Sequence, residues 1–262
     1  MTQPLVAVSL KMYLSAAATR AWVTDVAELV AQLDRSDDVE VVVLPTFPLL
    51  ESTSATLGST PVRWGAQDVA ASGDGSQTGE VSADVLAELG CRYVEVGHAE
   101  RRRLFGEGPE VIAAKLTQVA SSRLVPLYCL GEAERAYSAA VARNCCAELD
   151  DALATVRAAA EDPEIVVAYE PVWAIGADRP APADHVRAVC TALRDTVRAS
   201  GIRGRVIYGG AAVPGTYADL RCCVDGLFLG RFAHDTTALS RVIDEVLTAP
   251  GAADDRLEKE YV

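Results

Sequence analysis

No apolar run in this sequence reaches the roughly 18 residues that a membrane-spanning helix needs. The first apolar stretch, PLVAVSL at residues 4–10, lacks the basic flank and cleavage pattern of a secretory leader. Together these absences predict a cytoplasmic protein with no membrane partner. Cysteine pairing signals are missing as well. The seven cysteines are odd in number, and none forms a CxxC. Cys145-Cys146 and Cys222-Cys223 are adjacent in sequence, and neighbours rarely bridge. They read as buried, reduced thiols. Histidine is scarce, with three in the chain, and no cluster of metal-ligating residues occurs, so no metal and no organic cofactor are expected. Positive charge is in deficit too. The 24 Lys and Arg against 37 Asp and Glu leave a net −13, a field that repels nucleic acid and anionic membrane.

The chain does hold a regular alternation. Short apolar, β-branched runs fall at 5–10, 39–44, 62–67, 92–97, 124–130, 164–169, 205–208 and 224–229. Between them lie stripes of helical spacing: Trp22, Val26, Leu29, Val30 and Leu33; Tyr137, Val141, Cys145, Leu149 and Val156; Leu239, Val242, Ile243 and Val246. Strand–helix alternation repeated eight times implies a parallel sheet, and about 250 residues is the size of a closed (β/α)8 barrel. An open, doubly wound sheet is the rival. No linker divides the chain. The reading is therefore an α/β fold, one (β/α)8 barrel domain over residues 1–250, with a charged, peripheral tail over 251–262. The longest loop-like stretch, DVAASGDGSQTGE at 68–80, is of a length that is uncommon unless functional.

In such a barrel, chemistry collects where strands end. The polar groups there are Ser9 and Lys11 after the first run, His98 after the fourth, Glu170 after the sixth, Tyr208-Gly209-Gly210 after the seventh and Gly230-Arg231 after the eighth. Alternation along a strand predicts that Ser9 and Lys11 share a face. Taken singly, each has a plain explanation: a solvated lysine, a loop histidine, a glutamate in a surface turn. Jointly they form an acid–base set at three strand ends of one barrel. Glu170 stands within VVAYEPVWAIG (166–176), where a buried strand delivers a carboxylate and an apolar, glycine-ended loop follows it. Glu95 is out of place by the same logic. A charge inside a strand needs a partner, and Arg92 or Arg101 is the expectation.

The strings VEVGHAERR, VVAYEPVWAIG, GAQDV…TGEVS, PLYCLGE, VIYGG and VDGLFLG fall at the right intervals along the whole chain. In combination the sequence resembles the triosephosphate isomerase family. The resemblance implies an aldose–ketose isomerase that interconverts dihydroxyacetone phosphate and glyceraldehyde 3-phosphate through an enediolate. Glu170 is then the base, and Pro171 to Gly176 begin a water-excluding lid whose Gly176 offers its N–H to phosphate. His98 is then a neutral electrophile, a Glu/neutral-His pairing already established for that family rather than derived from these residues. Lys11 stabilises the developing charge. Glu100 and Tyr208 support the site, and Cys129 packs beneath it. The loop with Thr78-Gly79-Glu80 implies a homodimer built through residues 68–80, and the substrate is a small phosphorylated sugar.

The resemblance fails at four places around the substrate. Ser9 stands where the family has Asn, Ala99 and Ala211 where it has Ser, and Gly230-Arg231 where it has Gly-Gly. Ser9 and Ala99 lie toward the reacting carbons, and together they would open room for about one hydroxymethyl group. That favours, as the alternative, isomerisation of a four-carbon ketose phosphate such as erythrulose phosphate by the same mechanism. Ala211 keeps its backbone N–H at the phosphate end. Arg231 would either fork a phosphate, narrow the site or point to solvent. A non-catalytic relative that binds a phosphorylated metabolite is the third reading.

Overall fold

The computed structural model describes residues 3–176 and 180–248. The expected tail at 251–262 lies outside the described residues. Eight strands alternate with helices in chain order. The first half runs β1 (Leu5–Ser9), α1 (Ala16–Ala31), β2 (Glu40–Leu44), α2 (Leu50–Leu57), β3 (Arg63–Ala66), α3 (Ala83–Glu88) and β4 (Tyr93–Val96). It continues with α4 (Ala99–Phe105), α5 (Pro109–Ser121), β5 (Val125–Leu130), α6 (Ser138–Ala159) and β6 (Glu164–Tyr169). It ends with α7 (Ala183–Ser200), β7 (Arg203–Tyr208), α8 (Thr216–Leu220), β8 (Gly226–Leu229) and α9 (Thr236–Thr248). The strands pair in sequence order, all parallel, and β8 closes onto β1, so this is a (β/α)8 barrel and not an open sheet. Among the described residues no helix is long and apolar enough to cross a membrane.

Two apolar layers account for the closure. Outward-facing strand residues such as Val6, Val8, Val43, Val94 and Val167 pack against the helix stripes, including Trp22, Val26, Leu149, Leu193 and Val242. Inward-facing residues fill the barrel: Leu5, Ala7, Val42, Leu44, Tyr93, Val125, Leu127, Cys129, Val166, Ala168, Ile207 and Phe228. Both faces of each strand are therefore dry, which is why the strands read as continuous β-branched runs. Alternation then makes Ser9 and Glu95 inward-facing, one step beyond Ala7 and Tyr93 toward the strand ends.

Lys11 departs from the simple expectation. β1 ends at Ser9, and Lys11 adopts φ +48°, so it does not continue the strand's alternation. Among the described residues only Lys11 and Arg123 combine a side chain with positive φ. Such a conformation is unfavourable for lysine and persists where the surroundings impose it. All seven cysteines are unpaired, as expected, though Cys146 is half-buried and Cys222 exposed.

Candidate active site

His98 is placed by the strand-to-helix switch. Gly97 ends the β4 segment at φ +76°, and His98 becomes the N-cap of α4, its Nδ1 accepting from the Glu100 backbone N–H at 3.1 Å. That bond puts the ring proton on Nε2. Burial, then the neighbouring Lys11 ammonium, lowers the imidazole from 6.5 to about 4, so the ring is neutral at physiological pH. Arg102, one turn into α4, donates to the Gly97 carbonyl at 2.6 Å and the Cys129 carbonyl at 3.1 Å, tying the ends of β4 and β5 together.

Nε2–H of His98 is the node of the site. Lys11 Nζ lies 3.2 Å away, Glu170 Oε2 3.5 Å and Glu95 Oε1 4.0 Å. Lys11 Nζ and His98 Nε2 are both donors, so neither satisfies the other. An oxygen that carries developing negative charge would accept from both. Lys11 is held by Glu100 at 2.9 Å. Although burial opposes its charge, the hydrogen bond and charge of Glu100 keep the ammonium above its ordinary range, with Glu170 and Glu95 adding to the effect.

Glu170 follows β6 directly, its N–H still bonded to the Leu130 carbonyl at 2.9 Å. Its carboxyl is buried, and Oε2 has no hydrogen-bond partner among the described residues. Burial, then the like charge of Glu95, raises it from 4.5 to about 8. Two glycines clamp it. A Cβ on Gly131 would lie 2.0 Å from the Glu170 carbonyl oxygen, and one on Gly209 would lie 2.7 Å from Glu170 Cγ. The Cys129 thiol beneath is fully buried and raised far above its ordinary range by burial and by the Glu170 charge, so it packs as a neutral thiol.

The residues that follow Glu170 are anchored by Glu132. Glu132 accepts from Trp173 Nε1 at 2.7 Å and from the Tyr169 hydroxyl at 3.0 Å, and its Oε1 lies 3.0 Å from His185 Nε2. Arg135 stacks over the Trp173 ring at 4.4 Å. Gly176 turns at φ +70°. Residues 177–179, which follow the expected lid segment, lie outside the described residues.

The other expected positions are more dispersed. Tyr208 is buried in the core, its ring directly against Gly210. Ala211 is half-buried after β7. Gly230 precedes a short 3-10 turn, Arg231–His234, and Arg231 is exposed, its guanidinium 5.9 Å from the Tyr13 ring. Thr78 is exposed in the 68–80 loop, which begins at a buried ionic anchor: Asp68 pairs with Lys115 at 2.6 Å and with Arg101 at 2.7 Å.

Glu95 is where the expectation was wrong. Arg92 pairs with Glu164 at 2.5 Å, and Arg101 with Asp68 and Glu107. Neither reaches Glu95. Its partner is Ser9, whose hydroxyl donates to Glu95 Oε2 at 2.9 Å. The space expected from Ser9 is therefore partly taken by a second carboxyl, which burial raises to about 7 against the opposing pull of Ser9 and Lys11. The sequence signal was present, since Glu95 is a charge within an apolar strand. Gly131, Gly209 and Glu132 left a weaker trace, as the ends of quoted strings. Among the described residues no three His, Cys, Asp or Glu side chains are arranged to hold a metal ion.

A closed eight-stranded α/β barrel with a neutral imidazole, an ammonium and buried carboxyls at its strand ends defines an acid–base enzyme of the barrel isomerase class. The sequence model of triosephosphate isomerase matches residues 4–246, and the chain belongs to that family. An L-erythrulose-1-phosphate isomerase of Pectobacterium atrosepticum is 42% identical over 250 residues, 94% of this chain and 96% of the relative. A triosephosphate isomerase of Thermus thermophilus is 36% identical over 243 residues, 88% of this chain and 93% of the relative. A probable triosephosphate isomerase 2 of Listeria monocytogenes is 33% identical over 257 residues, 96% of this chain and all of the relative. The chain is thus an aldose–ketose-type isomerase of a divergent branch.

Proposed function

We propose that this enzyme shifts the carbonyl of a short phosphorylated sugar to the neighbouring carbon through an enediolate, and that a four-carbon ketose phosphate is its substrate. Glu170 removes the proton from the carbon beside the carbonyl, and the electron pair moves to the carbonyl oxygen. Lys11 and the His98 Nε2–H stabilise that oxygen, His98 relays a proton between the two substrate oxygens, and Glu170 returns its proton to the other carbon. No atom is gained or lost. The observation that carries the chemistry is the convergence on His98 Nε2 of Lys11 at 3.2 Å and Glu170 at 3.5 Å. A carboxyl already raised to about 8 is matched to proton abstraction near neutral pH.

The phosphate would be held by backbone N–H groups of Gly176, Ala211 and Gly230, with Arg231 available if it swings from Tyr13. Two features favour the four-carbon substrate. Ser9 and Ala99 replace larger polar residues toward the reacting carbons, and the 42% identical relative bears an erythrulose phosphate name. A triose phosphate substrate is the second reading, favoured by the intact trio of Lys11, His98 and Glu170. A homodimer through residues 68–80 belongs to the same proposal. Thr78 and Glu80 are exposed, and Met12, next to Lys11, is 91% exposed, a surface suited to a second copy. Measuring kcat/KM on erythrulose phosphates and on glyceraldehyde 3-phosphate decides between the substrates. A strong triose rate with a weak tetrulose rate rejects the first choice. Absence of exchange of the substrate's carbon-bound proton with solvent rejects both.

A further inference from the structure

A second carboxyl within reach of the reacting centre has no place in the proton-transfer scheme. Glu95 faces the barrel interior, is 4% exposed, and places Oε1 4.0 Å from His98 Nε2, too far for a hydrogen bond. The hydrogen bond fixing the group comes from Ser9 to its other oxygen, Oε2, at 2.9 Å. Ser9 is itself 2% exposed and inward-facing on β1, so this bond crosses the barrel mouth from one strand to another. The inward-facing residues around it form an apolar floor that includes Leu127, its register partner on β5, and Cys129. Burying a carboxyl against such a floor with one neutral hydroxyl as its hydrogen-bond donor is unfavourable. The arrangement becomes favourable when a further donor meets Oε1.

The chemistry of the proposed substrate supplies that donor. In a triose phosphate the two oxygens on the reacting carbons are served by Lys11 and His98, and the phosphate is served by the opposite loops. No polar group is left for Glu95. A four-carbon ketose phosphate carries one more hydroxyl, on the carbon beyond the reacting pair. Ala99 begins α4 next to His98 and carries only a methyl group.

We propose that Glu95, aimed by the Ser9 hydroxyl, accepts a hydrogen bond from the terminal hydroxyl of a four-carbon ketose phosphate and thereby sets the chain length the enzyme takes. This inference rests on the four-carbon reading of the preceding subsection. A site built to bond a hydroxyl discriminates strongly against the analogue that lacks it, because its own polar group is then left unpaired.

The test is the ratio of kcat/KM for an erythrulose phosphate to that for glyceraldehyde 3-phosphate, in the wild type, Glu95→Leu and Glu95→Gln. If the triose rate is below detection, the inhibition constant of dihydroxyacetone phosphate replaces it as the reference. The expected result is a fall in the ratio of about 10- to 100-fold in Glu95→Leu, mainly through KM, and a smaller fall in Glu95→Gln, which keeps an acceptor. Ser9→Ala moves the ratio the same way by less. Equal losses on both substrates overturn the inference and leave the four-carbon reading intact, since Glu95 would then act only through Glu170. A wild type that turns over triose phosphate and no erythrulose phosphate overturns that reading and the inference together.

Discussion

The two ends of the barrel bury charge in opposite ways. At the floor, Arg205 donates to Glu40 at 2.6 Å and to the Tyr93 hydroxyl at 2.7 Å, and that hydroxyl donates to Glu40 at 2.8 Å. Arg92 and Glu164 close the ring beside them. Every charge there faces its opposite, burial and the neighbouring carboxylate hold the Tyr93 phenol protonated, and the network joins β2, β4, β6 and β7. At the mouth, the like charge of Glu95 raises the proton affinity of Glu170, two donors face each other at His98, and Glu170 Oε2 has no partner among the described residues. One end is satisfied and rigid. The other is left unsatisfied, in the way a site must be if a ligand is to complete it.

The contrast is sharpest at Glu170. Glu170→Asp should lower kcat by about 10²- to 10⁴-fold, because the shorter side chain withdraws the base from the carbon it must reach. The melting temperature should stay unchanged or rise. Steady-state rates, solvent deuterium exchange and thermal unfolding on the same sample check this. A variant that loses stability in step with activity would make Glu170 part of the scaffold and erase the distinction between the two ends.

The converse holds at the floor. Arg205→Leu leaves the Glu40 carboxylate and the Tyr93 hydroxyl without their cation. It should destabilise the fold by about 3 kcal/mol while kcat at 25 °C stays within about twofold of wild type. Denaturant unfolding monitored beside activity reads both. A large kcat loss with unchanged stability would show that the floor communicates with the mouth.

How much of this was legible in the chain divides along the same line. The eight strands were, because each is buried on both faces and so reads as a β-branched run. The misfit at β7 is instructive. It starts at Arg203, two residues before the expected run, because Arg203 and Gly204 carry no apolar side chain to mark a strand, while Arg205 within the run is buried by pairing with residues on β2 and β4. The meeting of Lys11, His98 and Glu170 at one mouth was legible because all three follow strand ends of one barrel. Partners were not. Ser9 and Glu95 are 86 residues apart, and Arg205 and Glu40 are 165. Such pairs exist only after closure, and no local pattern announces them. Glu95 could be flagged as a misplaced charge, yet the nearby arginines that suggested themselves are committed elsewhere.

A finer cut comes from the glycine behind the base. Gly209→Ala puts a Cβ 2.7 Å from Glu170 Cγ, so the carboxyl must shift. The base keeps its chemical identity and loses its position, and kcat should fall by about 10- to 100-fold with KM little changed. A comparable rise in KM would instead place Gly209 against bound substrate.

The smallest expected effect is also the least ordinary, since it asks an active-site change to stabilise the protein. Burial lifts Glu95 from its usual 4.5 to about 7. Between those values the folded state holds a proton that the unfolded chain has released, so this group's contribution to stability falls as pH rises through the window and stays lost above it. Glu95→Met removes the group at similar volume. It should stabilise the fold by on the order of 1–3 kcal/mol at pH 8 and by little at pH 4.5. It also removes the like charge that raises Glu170, so the acidic limb of the pH–rate profile should move to lower pH. Thermal unfolding at both pH values, with the pH profile of kcat/KM on a triose phosphate, measures the two shifts independently. A gain in stability that is the same at pH 4.5 and pH 8 would mean that Glu95 titrates in the folded protein as it does in the unfolded chain, and that burial does not disfavour its charge.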